Sequence, residues 1–197
     1  MLFEPFETQY ITRGFARVCG VDEAGRGPLA GDVYAAAVIL PARYDLPGLN
    51  DSKLLTPKRR GEIFGQIQAQ AAAWSIAFAT VEEIGRLNIL QAALLAMRRA
   101  VEGLAPFVDY ALVDGNQRPL LAIPCEPIVH GDARCASVAA ASILAKVARD
   151  HAMEELDAAY PGYGFARHKG YGTAAHYEAL ARLGPCPIHR EKFCLFK

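Results

Sequence analysis

No two cysteines in this chain stand at Cys-x-x-Cys spacing, and the five present, Cys19, Cys125, Cys135, Cys186 and Cys194, form an odd, scattered set. That argues against a zinc site and against a disulfide framework; it predicts small buried thiols in a reducing, cytoplasmic setting. No apolar run is both long and uncharged enough to cross a bilayer. The start, Met1-Leu2-Phe3-Glu4, lacks the basic stretch and apolar core of a secretory leader, and no membrane association is expected. Repeats and low-complexity linkers are missing as well. So is net charge: the formal sum is zero, whereas most nucleic-acid-binding domains are basic overall. Common phosphate and acyl-transfer signatures are absent too. Gly25, Gly27 and Gly31 do not match the spacing of a dinucleotide fingerprint, no Gly-Lys-Ser/Thr occurs, and there is no serine nucleophile elbow.

What is present is a chain of 197 residues, 52% of them hydrophobic, enough for one folded domain spanning 1–197 with a real core. Arg17 to Asp22 reads as a strand and Val33 to Leu40 as a buried one, joined by a hairpin-like turn over Gly25 to Gly31. Pro41 to Asp51 reads as loop. Thr56-Pro57 starts a helix running to about Ala71, with threonine as cap and proline in the first turn. Trp74 to Thr80 is a third strand. Asn88 to Gly103 is an amphipathic helix with Leu90, Leu94, Met97 and Val101 on one face. Tyr110 to Val113 and Pro127 to His130 are further strands. The longest helix is expected from Asp132 to about Ala158, its alanine-rich first half suited to lying close on a sheet. Pro161 to Gly172 reads as a loop rich in glycine and tyrosine, and Ala174 to Leu183 as a last helix. Alternating strands and helices mean an α/β fold with a helical C-terminal part. Positive charge clusters locally. Lys58-Arg59-Arg60 and Arg98-Arg99 read as solvated helix faces, and Lys146 with Asp150 as a surface pair one turn apart. Arg167-His168-Lys169, set among glycines and tyrosines, is harder to assign to solvent.

The acidic residues fall at strand ends. Asp22 and Glu23 end the first strand, Asp114 ends the strand before Gly115, and Asp132 opens the long helix. Sites in open α/β sheets form at the carboxyl ends of strands, and clustered carboxylates hold hard divalent cations through oxygen. Neighbouring strand residues point to opposite faces, so Asp22 and Glu23 converge only if the strand stops or kinks there. Each acid also has an ordinary role open to it: a turn residue at Asp22-Glu23 or Asp114-Gly115, a helix cap at Asp132. The turn that follows Glu23 brings glycines, which let a backbone approach a ligand, and Arg26, which grips phosphate. Metal-binding acids beside a phosphate-binding loop suggest an enzyme acting on a phosphodiester.

Asp22-Glu23-Ala24-Gly25-Arg26-Gly27 resembles the signature of bacterial type 2 ribonuclease H, the ribonuclease HII family. Further segments agree in order: Leu49-Asn50-Asp51-Ser52-Lys53, Asn88-Ile89-Leu90-Gln91-Ala92, Val113-Asp114-Gly115-Asn116, Gly131-Asp132 leading into the helix 139–150, and His168-Lys169-Gly170-Tyr171-Gly172-Thr173. The resemblance implies a ribonuclease H-like fold: a mixed five-stranded sheet flanked by helices, with a substrate-contacting helical segment over about 160–197. It implies catalytic, metal-binding acids at Asp22, Glu23, Asp114 and Asp132, holding two Mg²⁺ or Mn²⁺ ions. It also implies a substrate-contacting loop of Gly25, Arg26 and Gly27, and a substrate-sensing Tyr171. Lys53, Lys169 and Arg26 are candidates for phosphate contacts.

The implied activity is cleavage of RNA in RNA/DNA hybrids and incision 5′ to single ribonucleotides embedded in duplex DNA, leaving 3′-hydroxyl and 5′-phosphate ends. A monomer is expected. Three features depart from the family pattern. His130 stands where a lysine is frequent, Glu191-Lys192-Phe193 replaces a serine-containing continuation, and the tail Cys194 to Lys197 does not resemble a sliding-clamp binding peptide. Two other readings compete: a non-catalytic nucleic-acid-binding module, and a metal-dependent phosphatase of small molecules, for which the loop at Arg167 to Tyr171 would be superfluous.

Overall fold

A computed structural model describes residues 3–193; the expectation for the tail Cys194 to Lys197 lies outside the described residues. Five strands, β1 (Val18–Ala24), β2 (Val33–Ile39), β3 (Ala73–Ala79), β4 (Tyr110–Asp114) and β5 (Cys125–Ile128), form one mixed sheet in the order β3-β2-β1-β4-β5. β1, β2 and β3 pair antiparallel, while β4 runs parallel to both β1 and β5. The stretch 25–31 joins β1 to β2 as the expected hairpin-like connection.

Helices cover both faces of the sheet. Helix α4 (Ile89–Glu102) packs on one, and α6 (Ala136–Ala159), with α2 (Pro57–Gln70) beside it, on the other. β2 shows the cause. Val33, Ala35 and Ala37 join the α4 cluster and Ala36 and Val38 the α6 cluster, each fully buried, so an almost unbroken run of small apolar residues is what burial on both sides requires. α4 buries Ala92, Ala93, Ala96, Met97, Ala100 and Val101; of the expected face Met97 and Val101 are buried, while Leu90 and Leu94 are only half-buried at its edge. Thr56 caps α2 as expected, its hydroxyl accepting the Arg59 N–H at 3.3 Å, and Pro57 takes the first helical position.

The seat of α6 on β1 depends on one glycine. A β-carbon at Gly20 would stand 2.1 Å from the Ser137 carbonyl carbon and 2.2 Å from the Val138 nitrogen. Any side chain there drives the helix off the sheet, at about 1–3 kcal/mol for overpacking. The alanines at 136, 139, 140 and 141 complete this close contact, all of them buried.

Several sequence expectations need correction. β1 does not stop at Asp22; it stays paired with β2 through Glu23 and Ala24. The helix expected from Asp132 to about Ala158 is two, α5 (Gly131–Arg134) and α6, separated by Cys135 in an extended conformation (φ −119°, ψ 125°). The strand expected over Pro127 to His130 lies earlier, at Cys125–Ile128. The loop 161–172 contains a short helix, α7 (Phe165–His168), ahead of α8 (Ala174–Leu183). Helices α1 (Phe6–Thr12) and α3 (Val81–Leu87) were not expected.

Arg60 is not on a solvated face. It is buried and donates to the carbonyls of Ser52 and Leu55, with Asp150 at 3.4 Å. Lys146 and Asp150 pair at 2.7 Å as expected, but mostly out of solvent and with Arg60 as a third member. No helix among the described residues is long and apolar enough to cross a membrane.

Candidate active site

β1 and β4 run parallel with Val21 opposite Val113, so the residues that follow, Asp22 and Asp114, stand side by side at the same end of that pairing. Side chains alternate along a strand. Val18 packs with Val138 of α6, and Asp22 shares that side; Cys19 and Val21 pack in the α4 cluster, and Glu23 shares theirs. The pair therefore does not converge through a kink.

Asp22 is instead joined by Asp114 and by Asp132, and one carboxylate oxygen from each lies within 4.8 Å of the others. Glu23 stands across the strand, 3.4 Å from the Arg26 guanidinium. It shares a small cleft with Asp114, Asn116 and Met97. Asp132 is not the helix cap that its local sequence favours. His130 occupies that position in the left-handed region (φ 56°, ψ 41°). The turn directs the Asp132 N–H at Asp114 Oδ1, 3.3 Å away, and the Gly131 N–H toward the same carboxylate.

The cluster is crowded with charge of one sign. Burial pushes the Asp22 carboxyl well above its usual range, and the charges of Glu23 and Asp114 push it further; donors from Ser142 and the Glu23 N–H (2.6 Å) only partly compensate. Glu23 is raised by burial despite Arg26, and Asp114 by burial and then by Asp132. Among the described residues, Lys53 is the one ammonium that pairs directly with the trio, 3.0 Å from Asp132 Oδ2, on a side chain 75% exposed. Partial burial disfavours its charge, but the hydrogen bond to Asp132 and the nearby carboxylates together raise its pKa. Ser142 is fixed in turn by Ser52, their hydroxyls 2.8 Å apart. Three convergent carboxylates, with no sulfur or imidazole among them, suit a hard divalent cation, whose charge would relieve the repulsion.

The other expected residues divide. Tyr171 is exposed at 43%, and a β-carbon at Gly27 would meet its ring at 3.7 Å, so the tyrosine and the glycine loop adjoin. Arg26 is half exposed beside Glu23. Lys169 is turned toward α6, its ammonium 2.6 Å from Glu154 and 3.3 Å from the Asp150 carbonyl, so a phosphate contact from it is not prearranged. The half-buried Lys146 lies 5.8 Å from the Tyr171 ring centroid instead. A cavity of about 700 Å³ lies elsewhere, between α3 and the 187–193 segment; Glu23 and Asp114 line the small cleft at the site.

Sequence reasoning missed the two arginines that hold the glycine loop. Arg190, 2% exposed, donates to the carbonyls of Gly25, Arg26, Pro28 and Gly31. Arg149, 1% exposed, donates to those of Ala30, Asp32 and Lys169. Gly25, at φ +102°, leaves room for Arg149, whose Nε a β-carbon there would approach to 2.1 Å. A signal existed for Arg149: it falls on the buried stripe Ser142, Ala145, Met153 at helical spacing.

Comparison with known proteins places these features in context. The sequence profile of the family described as Ribonuclease HII matches residues 19–196. A Ribonuclease HII of Laribacter hongkongensis is 61% identical over 179 residues, covering 90% of each chain. One of Syntrophotalea carbinolica is 55% identical over 188 residues, covering 95% of this chain and 90% of that one. Among solved structures, the ribonuclease H2 of Pyrococcus horikoshii OT3 superposes with a TM-score of 0.72 at 26% identity, covering 89% of this chain and 93% of that one.

Proposed function

The chain belongs to the ribonuclease HII family and is an endoribonuclease, and from that premise we propose that it cleaves RNA in RNA/DNA hybrids and incises 5′ to single ribonucleotides in duplex DNA, leaving 3′-hydroxyl and 5′-phosphate ends. The observation that carries the reading is the convergence of Asp22, Asp114 and Asp132 at the sheet end where β1 passes into the glycine loop beside Tyr171.

The three aspartates, with Glu23 across the strand, would hold two Mg²⁺ or Mn²⁺ ions. Bound there, the metal would supply activation of a water nucleophile and stabilisation of the leaving 3′ oxygen. The protein's part is positional. Ser142 and the Glu23 N–H orient Asp22, while the Gly131 and Asp132 N–H groups orient Asp114. Lys53 neutralises part of the cluster and extends into solvent, where it can meet a phosphate; Arg26 does the same beside Glu23.

Selection for RNA requires contact with the 2′-hydroxyl. The backbone of Gly25 to Gly27 is open to such contact because no side chain intervenes, and the exposed face of Tyr171 would pack on the following sugar. An added hydroxyl would clash there, so the junction preferred is RNA followed by DNA. A reducing cytoplasm suits the free thiols of Cys19, Cys125, Cys135 and Cys186.

The test is a labelled duplex carrying one ribonucleotide, incubated with and without Mg²⁺. Metal-dependent nicking on the 5′ side of the ribonucleotide is expected. Cleavage without metal, or normal turnover by Asp22→Asn or Asp132→Asn, would end the assignment.

A further inference from the structure

Three of the chain's five histidines, His168, His176 and His189, are buried together around Phe165. None touches the acid cluster. Their hydrogen bonds constrain where the protons sit. The Tyr171 carbonyl can only accept, so His176 Nδ1, 3.0 Å from it, carries hydrogen. At the other end His189 Nδ1 lies 2.9 Å from the Cys186 nitrogen and 3.2 Å from the Cys186 carbonyl oxygen; the shorter contact, in which the Cys186 N–H donates, leaves that nitrogen bare. His189 therefore bears its proton on Nε2 and donates it to the bare His176 Nε2, 3.1 Å away. With the shorter contact made, the two ends of the chain agree on one neutral arrangement.

His168 is determined in the same way: its Nδ1 accepts the Gly170 N–H at 3.2 Å, and its Nε2 faces the Tyr163 carbonyl at 2.8 Å. His168 and His176 stack with ring centroids 4.3 Å apart. The two rings thus grip the segment carrying the exposed tyrosine from both ends, one by the Gly170 N–H and the other by the Tyr171 carbonyl. The same segment is tied to the glycine loop. The Gly170 carbonyl accepts the Leu29 N–H at 2.8 Å, and a β-carbon at Gly170 would stand 2.7 Å from the Ala30 carbonyl oxygen. His189 bridges to Ala30, and its neighbour Arg190 holds the loop carbonyls.

We propose that His176 and His189 are positioning residues for junction specificity: their neutral hydrogen-bonded pair holds Tyr171 at a fixed separation from Gly27, so that the sugar after the ribonucleotide is read against a rigid gauge. This rests on the junction reading of Tyr171 given above. The groups facing the pair are uncharged or remote from its ring nitrogens: His168 and Tyr163 from the α6–α7 side, Cys186 from its own segment, and Arg190, whose guanidinium is spent on loop carbonyls. Burial holds His176 down to about 4, consistent with a ring that stays neutral.

The experiment compares kcat/KM on a single-ribonucleotide duplex and on an all-RNA hybrid for the wild type, Tyr171→Ala, His176→Leu, His176→Asn, His189→Leu and His189→Gln. Asparagine at 176 keeps a donor for the Tyr171 carbonyl, and glutamine at 189 keeps the donor toward His176. Loosened placement should cost His176→Leu about tenfold on the single-ribonucleotide substrate, against less than about threefold on the hybrid. His176→Asn and His189→Gln should recover most of the loss. His176→Leu combined with Tyr171→Ala should lose no more discrimination than Tyr171→Ala alone.

Hybrid cleavage serves as the internal control for folding, and His189→Leu, with His189→Gln as its rescue, carries the test if His176→Leu does not fold. Equal losses on both substrates, no rescue, or additive losses in the double variant would overturn the proposal. If Tyr171→Ala alone leaves the substrate ratio unchanged, the junction reading fails and this inference falls with it. If Tyr171→Ala changes the ratio and the histidine variants do not, only the inference fails.

Discussion

Asp22 and Arg190 are both charged and both almost wholly enclosed, at 4% and 2% exposure, yet their surroundings are opposites. Arg190 is saturated: its guanidinium meets a ring of backbone carbonyls that already point inward. Asp22 is crowded by charges of its own sign, with a few neutral donors to hold it and no cation in direct contact. Burying a charge is costly unless partners replace its water. The glycine-loop scaffold supplies those partners from the protein itself. On the proposed reading the acid cluster leaves that role to divalent ions, so one region is finished on folding and the other would be completed only when cations arrive.

The sharpest way to break this contrast is to neutralise one member of each region. Asp22→Asn or Asp132→Asn should lower cleavage of an RNA/DNA hybrid on the order of a hundredfold or more. Asp22→Asn should also leave the metal-free melting temperature unchanged or higher, because it removes repulsion. Arg190→Met should do the reverse to stability. It strands several buried carbonyls and should cost about 3 kcal/mol or more in urea unfolding. If Asp22→Asn unfolds the protein while Arg190→Met is tolerated, the two regions have been read the wrong way round.

A smaller effect comes from the metal. Free Mg²⁺ at about a hundred times its dissociation constant should stabilise the wild type by about 2–3 kcal/mol, seen as a higher melting temperature. Asp114→Asn should lose most of that increment, and Lys53→Met should keep it.

The smallest effect is in pH, where the two regions respond in opposite directions. In EDTA the raised carboxyls of Asp22, Glu23 and Asp114 take up protons more readily folded than unfolded. Their contribution is present at low pH and lost as pH rises through the folded values. His176, held down from 6.5 to about 4, refuses a proton that the unfolded chain accepts, so its contribution is lost as pH falls from about 6.5 through 4. Urea unfolding across that window should show the acid-side loss in the wild type and not in His176→Leu. Asp22→Asn should lose the opposing gain.

Much of this was legible in the residues, for identifiable reasons. Thr56-Pro57 and the α4 stripe are local signals, and both elements formed as expected. The strand-end acids were legible because a sheet exposes its carboxyl ends. Long-range facts were not. Nothing near Asp22 says that β1 continues through Ala24, because the partner that keeps it extended is β2. The break at Cys135 was hidden by good helix formers on both sides; it is set by the turn at His130 and by the Glu7 carboxylate, which accepts the Ser137 N–H at 2.9 Å. Arg60 was read as an ordinary helix charge, and Arg149 was given no role, because their carbonyl partners lie in loops distant in sequence. For the site itself, residue types left ordinary roles open to the acids and the family resemblance singled them out; only the fold separated Asp22 from Glu23 and turned Lys169 aside.

The parallel pairing of β1 with β4 has one more consequence. Asp22 and Asp114 become neighbours only when residue 21 meets residue 113, and such distant pairings form late because a long loop must close first. On the proposed site, a ribosome that has released only the first hundred residues has therefore made the signature hexapeptide without an operative cutter. The growing polypeptide is harmless to nearby nucleic acid until the last crossover closes.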